Sequence, residues 1–207
     1  MNGHDENKVS TGESQRAEAE SCKVDSQLKP VVSVRYHTIY ADPPWSEVGG
    51  GKICRGAQSH YPVMKTPDII KLIKEVIVEK VEANAHLYLW VTNNHLPDGL
   101  EVMKALGFDY KTTITWMKDR FGLGQYYRGI TEHCLFGVKG VLSYRTKPDG
   151  KRAQGVTGFI SPRREHSRKP DETRERIVKL MGDLPRIELF ARQRAEGWDC
   201  WGNEVEA

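Results

Sequence analysis

The chain has 207 residues and a mass of 23.5 kDa, enough for one ordinary domain that buries roughly 70% of the surface its unfolded chain exposes, with no need of a disulfide or metal staple. Cys22, Cys54, Cys134 and Cys200 are widely spread and form no C-x-x-C pair, which argues against a structural zinc site and a disulfide framework and predicts a reducing, cytoplasmic setting. A mean hydropathy of −0.59, no apolar run of bilayer-spanning length, and Asp5 and Glu6 with no apolar segment behind them speak against membrane and secreted readings.

The net charge of +3 arises from 31 basic and 28 acidic residues. Residues 1 to 30 hold six acids and four bases, whereas residues 145 to 176 hold ten bases and five acids, so the positive excess is concentrated in one late segment. Such a segment suits phosphate binding, although a solvated surface is the commoner origin of such a bias.

Residues 1 to 28 are rich in Ser, Glu, Lys, Asn and Gln and contain no aromatic residue, so burial cannot offset their ordering entropy; they are expected to form a disordered tail before a single domain over 29–207. Residues 31 to 41, VVSVRYHTIYA, are β-branched and aromatic and predict a strand that stops at Pro43-Pro44. Thr66-Pro67-Asp68 supplies an N-cap, an early proline and a first-turn acid, and Ile69, Leu72, Ile73, Val76 and Ile77 follow at helical spacing, predicting a helix over about 67–81. A strand is expected over 86–91, a helix from Pro97 to Leu106 ended by Gly107, and strands over 111–117 and 133–138. A loop over 143–158, a helix opened by Pro170 and ended at Met181-Gly182, and a last strand over 186–190 complete the order. Alternating strands and helices predict an α/β domain with a mainly parallel sheet and helices on both faces. Such sheets bind ligands beyond the carboxyl ends of their strands.

Two glycine-rich segments carry little nucleotide signal. Gly49-Gly50-Gly51-Lys52 lacks the phosphate-loop pattern, with Ser46 where the first Gly belongs and Ile53 where Ser or Thr belongs. Gly122-Leu123-Gly124 begins like G-x-G-x-x-G, but position 127 is Tyr and no helix pattern follows. Glu132-His133-Cys134 invites a metal or thiol reading, but adjacent strand residues point to opposite faces, and Cys134 is expected to be packed rather than reactive.

Asp42-Pro43-Pro44-Trp45 is more informative, because it sits at the carboxyl end of the first predicted strand. Two prolines fix two φ angles and make a rigid turn. A carboxylate and a fixed carbonyl can accept both hydrogens of an exocyclic amino group and leave its lone pair aimed at an electrophile. Trp45 could stack on the attached ring, as aromatics do on bases.

The tetrad resembles that of adenine N6-methyltransferases, and the further blocks HYPVM (60–64), LYLWVTN (87–93), GLGQYYRG (122–129), EHCLFGVKG (132–140), PRREHSRKPDE (162–172), IELFAR (187–192) and WGNE (201–204) resemble the MT-A70 family, in particular its bacterial and phage members that modify DNA. The resemblance implies a Rossmann-like fold of permuted motif order that uses S-adenosylmethionine. It implies catalytic roles for Asp42, Pro43, Pro44 and Trp45. Cofactor contacts are implied for Asp42, Lys139 (at the cofactor's carboxylate), Arg192, Asn203 and Glu204, the last standing where eukaryotic members have Gln. Tyr61 matches an aromatic residue near the target base, and Arg163, Arg164, His166 and Lys169 are further candidate substrate contacts. No metal is implied.

The expected function is methyl transfer to adenine N6 in DNA by in-line displacement, with the base flipped from the duplex and Trp45 and Tyr61 walling its pocket. RNA adenosine methylation is the enzymatic alternative; a non-catalytic nucleic-acid-binding subunit is less favoured because the tetrad is intact. Cytosine C5 methylation would need a thiol following a proline, and the chain has no Pro-Cys. The expected partner is nucleic acid, DNA first, and the expected state a monomer or homodimer in a bacterial or phage-infected cytoplasm.

Overall fold

The computed structural model describes residues 34–46, 63–122, 126–164 and 168–205. The polar tail, residues 31–33 of the first expected strand, the Gly49–Lys52 loop, Tyr61, Leu123-Gly124 and His166 lie outside the described residues.

Seven strands form one sheet, with β1 (Tyr36–Ala41), β2 (Val81–Val91), β3 (Asp109–Met117), β4 (Thr131–Lys139), β5 (Gly158–Ile160), β6 (Arg186–Leu189) and β7 (Asp199–Trp201) in the order β5-β3-β4-β2-β1-β6-β7. Six strands run one way and β4 alone runs against its neighbours β2 and β3. The sheet is therefore mainly parallel, as expected, with one reversed strand near its middle.

Among the described residues three α-helices cover it: α1 (Thr66–Ile77), α2 (Leu96–Ala105) and α3 (Glu172–Met181). Successive strand residues feed opposite cores, as the pleat requires. Ile39, Ala41, Leu87, Leu89 and Val91 pack with Ile69, Ile73, Val102 and Met103 of α1 and α2. Tyr40, Tyr88, Trp90, Trp116 and Phe136 pack with Ile177 and Met181 of α3. The carboxyl-terminal halves of β1 and β2 are buried on both faces, so Ile39–Ala41 and Leu87–Val91 read as unbroken apolar runs rather than as alternation. No helix among the described residues is long and apolar enough to cross a membrane.

Local details depart from expectation in instructive ways. Helix α1 begins at Thr66 itself, the cap position is the extended Lys65, and Thr66 Oγ1 donates to Asp98 Oδ1 at 2.6 Å, so the hydroxyl joins α1 to α2 instead of capping. Its last turn, Val78–Lys80, tightens to a 3-10 helix that runs directly into β2. Helix α2 does end at Gly107, whose φ of 78° lets the Phe108 N–H reach back to the Met103 carbonyl at 3.0 Å. β5 and β7, three residues each, were not foreseen.

Candidate active site

The carboxyl ends of β1, β2, β3, β5, β6 and β7 and the amino end of β4 share one edge of the sheet. Asp42 follows β1 directly and its N–H approaches the Leu189 carbonyl at 3.5 Å, so the ends of β1 and β6 adjoin. The turn beyond it is rigid. Trp45 N–H donates to the Pro43 carbonyl at 2.9 Å, Met64 N–H donates to the Pro44 carbonyl at 2.7 Å, and Trp45 Nε1 donates to the Trp90 carbonyl at 2.9 Å.

The structure corrects the role expected of Trp45. The indole is only 7% exposed, belongs to the α1/α2 core, and stacks on His95 with ring centroids 5.5 Å apart and planes 18° from parallel. It anchors the turn to β2 instead of offering a free face to a base. Pro43 keeps one carbonyl lone pair beyond the Trp45 bond, which preserves its capacity as an acceptor.

Asp42 terminates a chain of charge. Lys169 Nζ lies 2.8 Å from both Asp42 oxygens and 3.3 Å from Glu132 Oε2, and Lys118 Nζ lies 2.5 Å from Glu132 Oε1. The Lys169, Lys118 and Glu132 side chains are 13–14% exposed, and Lys169 also sits 5.5 Å from the centre of the Trp90 ring. Burial alone would lower the Lys169 pKa, yet the Asp42 and Glu132 carboxylates outweigh it and raise the value. Burial likewise pushes Glu132 up, but Lys169 and Lys118 bring it below the ordinary carboxylate value. Two acids and two bases thus balance in a site from which water is largely excluded.

This pairing revises the reading of the basic segment. Lys169 faces Asp42 and Glu132 inside the site and is largely buried, so it is not a surface phosphate contact. Arg164, Arg168 and Arg174 all pair with Asp171, Arg168 at 2.9 Å and Arg174 at 2.8 Å, and Arg174 also grips Glu188 through Nε at 2.6 Å. The arginines pin the start of α3, and with it the Lys169-Pro170 segment, to β6. Of the three bases expected to meet substrate (Arg163, Arg164 and Lys169), Arg163 alone is exposed; its backbone N–H donates to Asp119 Oδ1 at 2.8 Å.

The ends of β6 and β7 bring three more expected residues to the same edge. Phe190 turns the chain in the left-handed region, φ 60°, and its ring meets Trp201 edge-on at 5.7 Å. A Cβ on Gly202 would stand 2.4 Å from the Ala191 carbonyl oxygen, so only glycine lets these two loops pack so closely. They set Arg192 Nε 3.7 Å from Glu204 Oε1, with Asn203 adjacent and exposed.

Lys139 does not join them. It ends β4, and because β4 is reversed its carboxyl end lies at the opposite edge, opposite Ala85 in β2 and beside Lys74 and Phe108. His133, six residues earlier, is the β4 position level with Val91, so Lys139 stands about 20 Å away along the strand. The turn after it is held by Asn84 Oδ1, which accepts from Val141 N–H at 2.8 Å. The expected cofactor lysine is thus a surface residue of the far edge, and the cation beside Asp42 is Lys169.

Glu132, Lys118 and Trp90 were missed as site residues. The strand reversal that removes Lys139 delivers Glu132, since it puts the amino end of β4 beside the carboxyl end of β2. Cys134 is fully buried, and burial raises its pKa far above the ordinary thiol value, which keeps it protonated and inert.

The MT-A70 family model matches residues 36–204. The Type II methyltransferase M.MunI of a Mycoplasma species is 30% identical, with 83% of this chain and 78% of that protein covered. The human N(6)-adenosine-methyltransferase catalytic subunit METTL3 is 26% identical over 83% of this chain and 28% of its own length. A Medicago truncatula putative N(6)-adenosine-methyltransferase MT-A70-like protein is 27% identical over 83% and 26%. The chain thus spans most of the Mycoplasma protein and about a quarter of the plant and human ones. The family match runs from β1 past β7 and includes the whole edge that carries Asp42, Glu132 and Lys169; the chain belongs to the MT-A70 family of methyltransferases.

Proposed function

We propose that the protein transfers a methyl group from S-adenosylmethionine to the N6 amino group of adenine in DNA. The observation that carries this reading is the Asp42 carboxylate, fixed after β1 by a Pro-Pro-Trp turn and held on both oxygens by the buried Lys169. Its oxygens retain lone pairs beyond the lysine bonds, so it can hold an amino hydrogen and take up the proton that the amine sheds once it is methylated. The Pro43 carbonyl is the second acceptor. Together they orient a weakly nucleophilic aromatic amine, and no covalent intermediate on the protein is needed.

The donor set suits the cofactor. Asp42 and Lys169 offer one anion and one cation to an amino-acid zwitterion, and Arg192, Asn203 and Glu204 offer polar contacts to ribose and adenine from the β6 and β7 loops. When bound, the cofactor supplies an electrophilic methyl group on a sulfonium. The chain's own contribution is to position the amine and to keep water from the Asp42–Lys169–Glu132 cluster.

DNA is favoured by the Mycoplasma relative, a Type II methyltransferase matched over most of its length. The plant and human relatives, named for N(6)-adenosine, favour RNA as the second reading. Incubation with labelled cofactor and, separately, duplex DNA, single-stranded DNA and RNA, followed by nucleoside analysis, decides between them. N6-methyladenine in DNA is expected. Label in RNA alone would transfer the assignment to RNA, and no label in any would remove it.

A further inference from the structure

Beyond the strand ends, residues 118–122 and 126–130 form the two described arms of a hairpin. Lys118 N–H donates to the Ile130 carbonyl at 2.8 Å and Gly122 N–H to the Gly129 carbonyl at 2.6 Å, so the two arms stay together while residues 119–121 bulge out between the two bonds. The hairpin rises directly from the active site, since Lys118 at its root holds Glu132, which holds Lys169. Its described tip carries Tyr126 and Tyr127, 94% and 91% exposed, and Phe121, 61% exposed. Aromatic rings this open contribute little to folding, and a cluster of them marks a surface that meets something else.

The charges around them indicate what. Arg128 caps the Phe121 ring at 5.0 Å while its Nε donates to the Gly122 carbonyl at 2.7 Å. Arg120 lies on the hairpin itself and Arg163 beside it, through its N–H to Asp119, both exposed. The acid among them, Asp119, already accepts the Arg163 N–H and lies 3.7 Å from Arg120. Three guanidinium groups against one engaged carboxylate leave a positive, aromatic lip whose root, Lys118, connects through Glu132 and Lys169 to Asp42. Open π-faces interleaved with arginines fit unstacked bases joined by phosphates, and an adenine delivered to Asp42 must leave its neighbours partly unstacked at this lip.

We infer that the two arms of this hairpin, residues 118–122 and 126–130, form the surface that grips the nucleic-acid strand flanking the target adenine, with Tyr126 and Tyr127 stacking on bases and Arg120 and Arg163 meeting phosphates. The inference rests on the reading that the site methylates a nucleic-acid base.

The test compares wild type, Y126A/Y127A, Y126F/Y127F and Arg120→Gln, each with S-adenosylhomocysteine present. Kd is measured by fluorescence anisotropy for duplex DNA, single-stranded DNA and RNA of one sequence across a salt series, beside sedimentation. Y126A/Y127A should weaken binding about tenfold or more with an unchanged salt slope, and Y126F/Y127F should bind as wild type, since stacking needs the ring and not the hydroxyl. Arg120→Gln should lower the salt slope by about 1. Wild-type affinity in Y126A/Y127A overturns the inference, as does a dimer that this variant splits while nucleic-acid affinity holds, which would make the hairpin a protein interface. If the tyrosines matter but wild type binds and methylates RNA alone, the hairpin assignment stands and the DNA reading falls. If wild type binds no nucleic acid, both fall.

Discussion

Lys169 Nζ lies 2.8 Å from each carboxylate oxygen of Asp42, across 127 residues of sequence. The contact joins the turn after the first strand to the segment before the last helix. It gives the site its central cation and immobilises the carboxylate through both of its oxygens.

Asp42→Ala removes the acceptor that orients the amine. Losing one preorganised electrostatic contact of this kind costs roughly 10² to 10³ in rate. Single-turnover methylation at saturating cofactor should fall by at least that factor while nucleic-acid affinity, measured on the same folded protein, holds. Near-wild-type turnover would reduce the tetrad to a structural turn.

Lys169→Met leaves Asp42 and Glu132 facing each other without their shared cation. Breaking a buried pair on one side typically costs about 3 kcal/mol or more, so the midpoint of urea unfolding should drop measurably. Turnover should fall along with it. Because Lys169 is buried, the slope of DNA affinity against salt should stay at the wild-type value; a slope reduced by about 1 would restore the surface phosphate contact that the structure argues against.

Lys139→Ala gives the complementary result. At the far edge of the sheet it is too distant to reach a cofactor bound beside Asp42, so cofactor affinity by calorimetry and turnover should both match wild type. A tenfold loss of cofactor affinity would contradict the strand direction found for β4.

The charge cluster sets two limits on stability with pH. Glu132 has its folded pKa below the unfolded value, so its contribution is present above about pH 4.3 and is lost as pH falls through the depressed value. Lys169 has its folded pKa above the unfolded value, so its contribution is complete below about pH 10.4 and is lost as pH rises beyond it. Chemical denaturation across pH should show that Glu132→Gln flattens the acid limb and Lys169→Met the alkaline limb. Unaltered limbs in both variants would show that the cluster is not ionised as its geometry requires.

What the sequence alone determined is local. The apolar runs of β1 and β2, the periodicity of α1, Pro170 and Gly182 as the bounds of α3, and Gly107 as the stop of α2 follow from steric and burial rules that act within a few residues. The Asp42-Pro43-Pro44-Trp45 turn was legible for the same reason: prolines restrict their own φ wherever they stand. Strand direction was not legible, because a strand reads the same whichever way it is threaded, and on the reversal of β4 hung both the exclusion of Lys139 and the arrival of Glu132. β5 and β7 are too short to show any alternation. The exposure of charges was also hidden. Lys169 in a basic segment resembles a solvated phosphate contact until the tertiary structure places Asp42 and Glu132 around it, and Trp45 resembles a stacking platform until His95 covers it. Ion pairing and burial are fixed by neighbours far away in sequence, so only the folded chain decided which of the residues near Asp42 serve the site and which merely hold it in place.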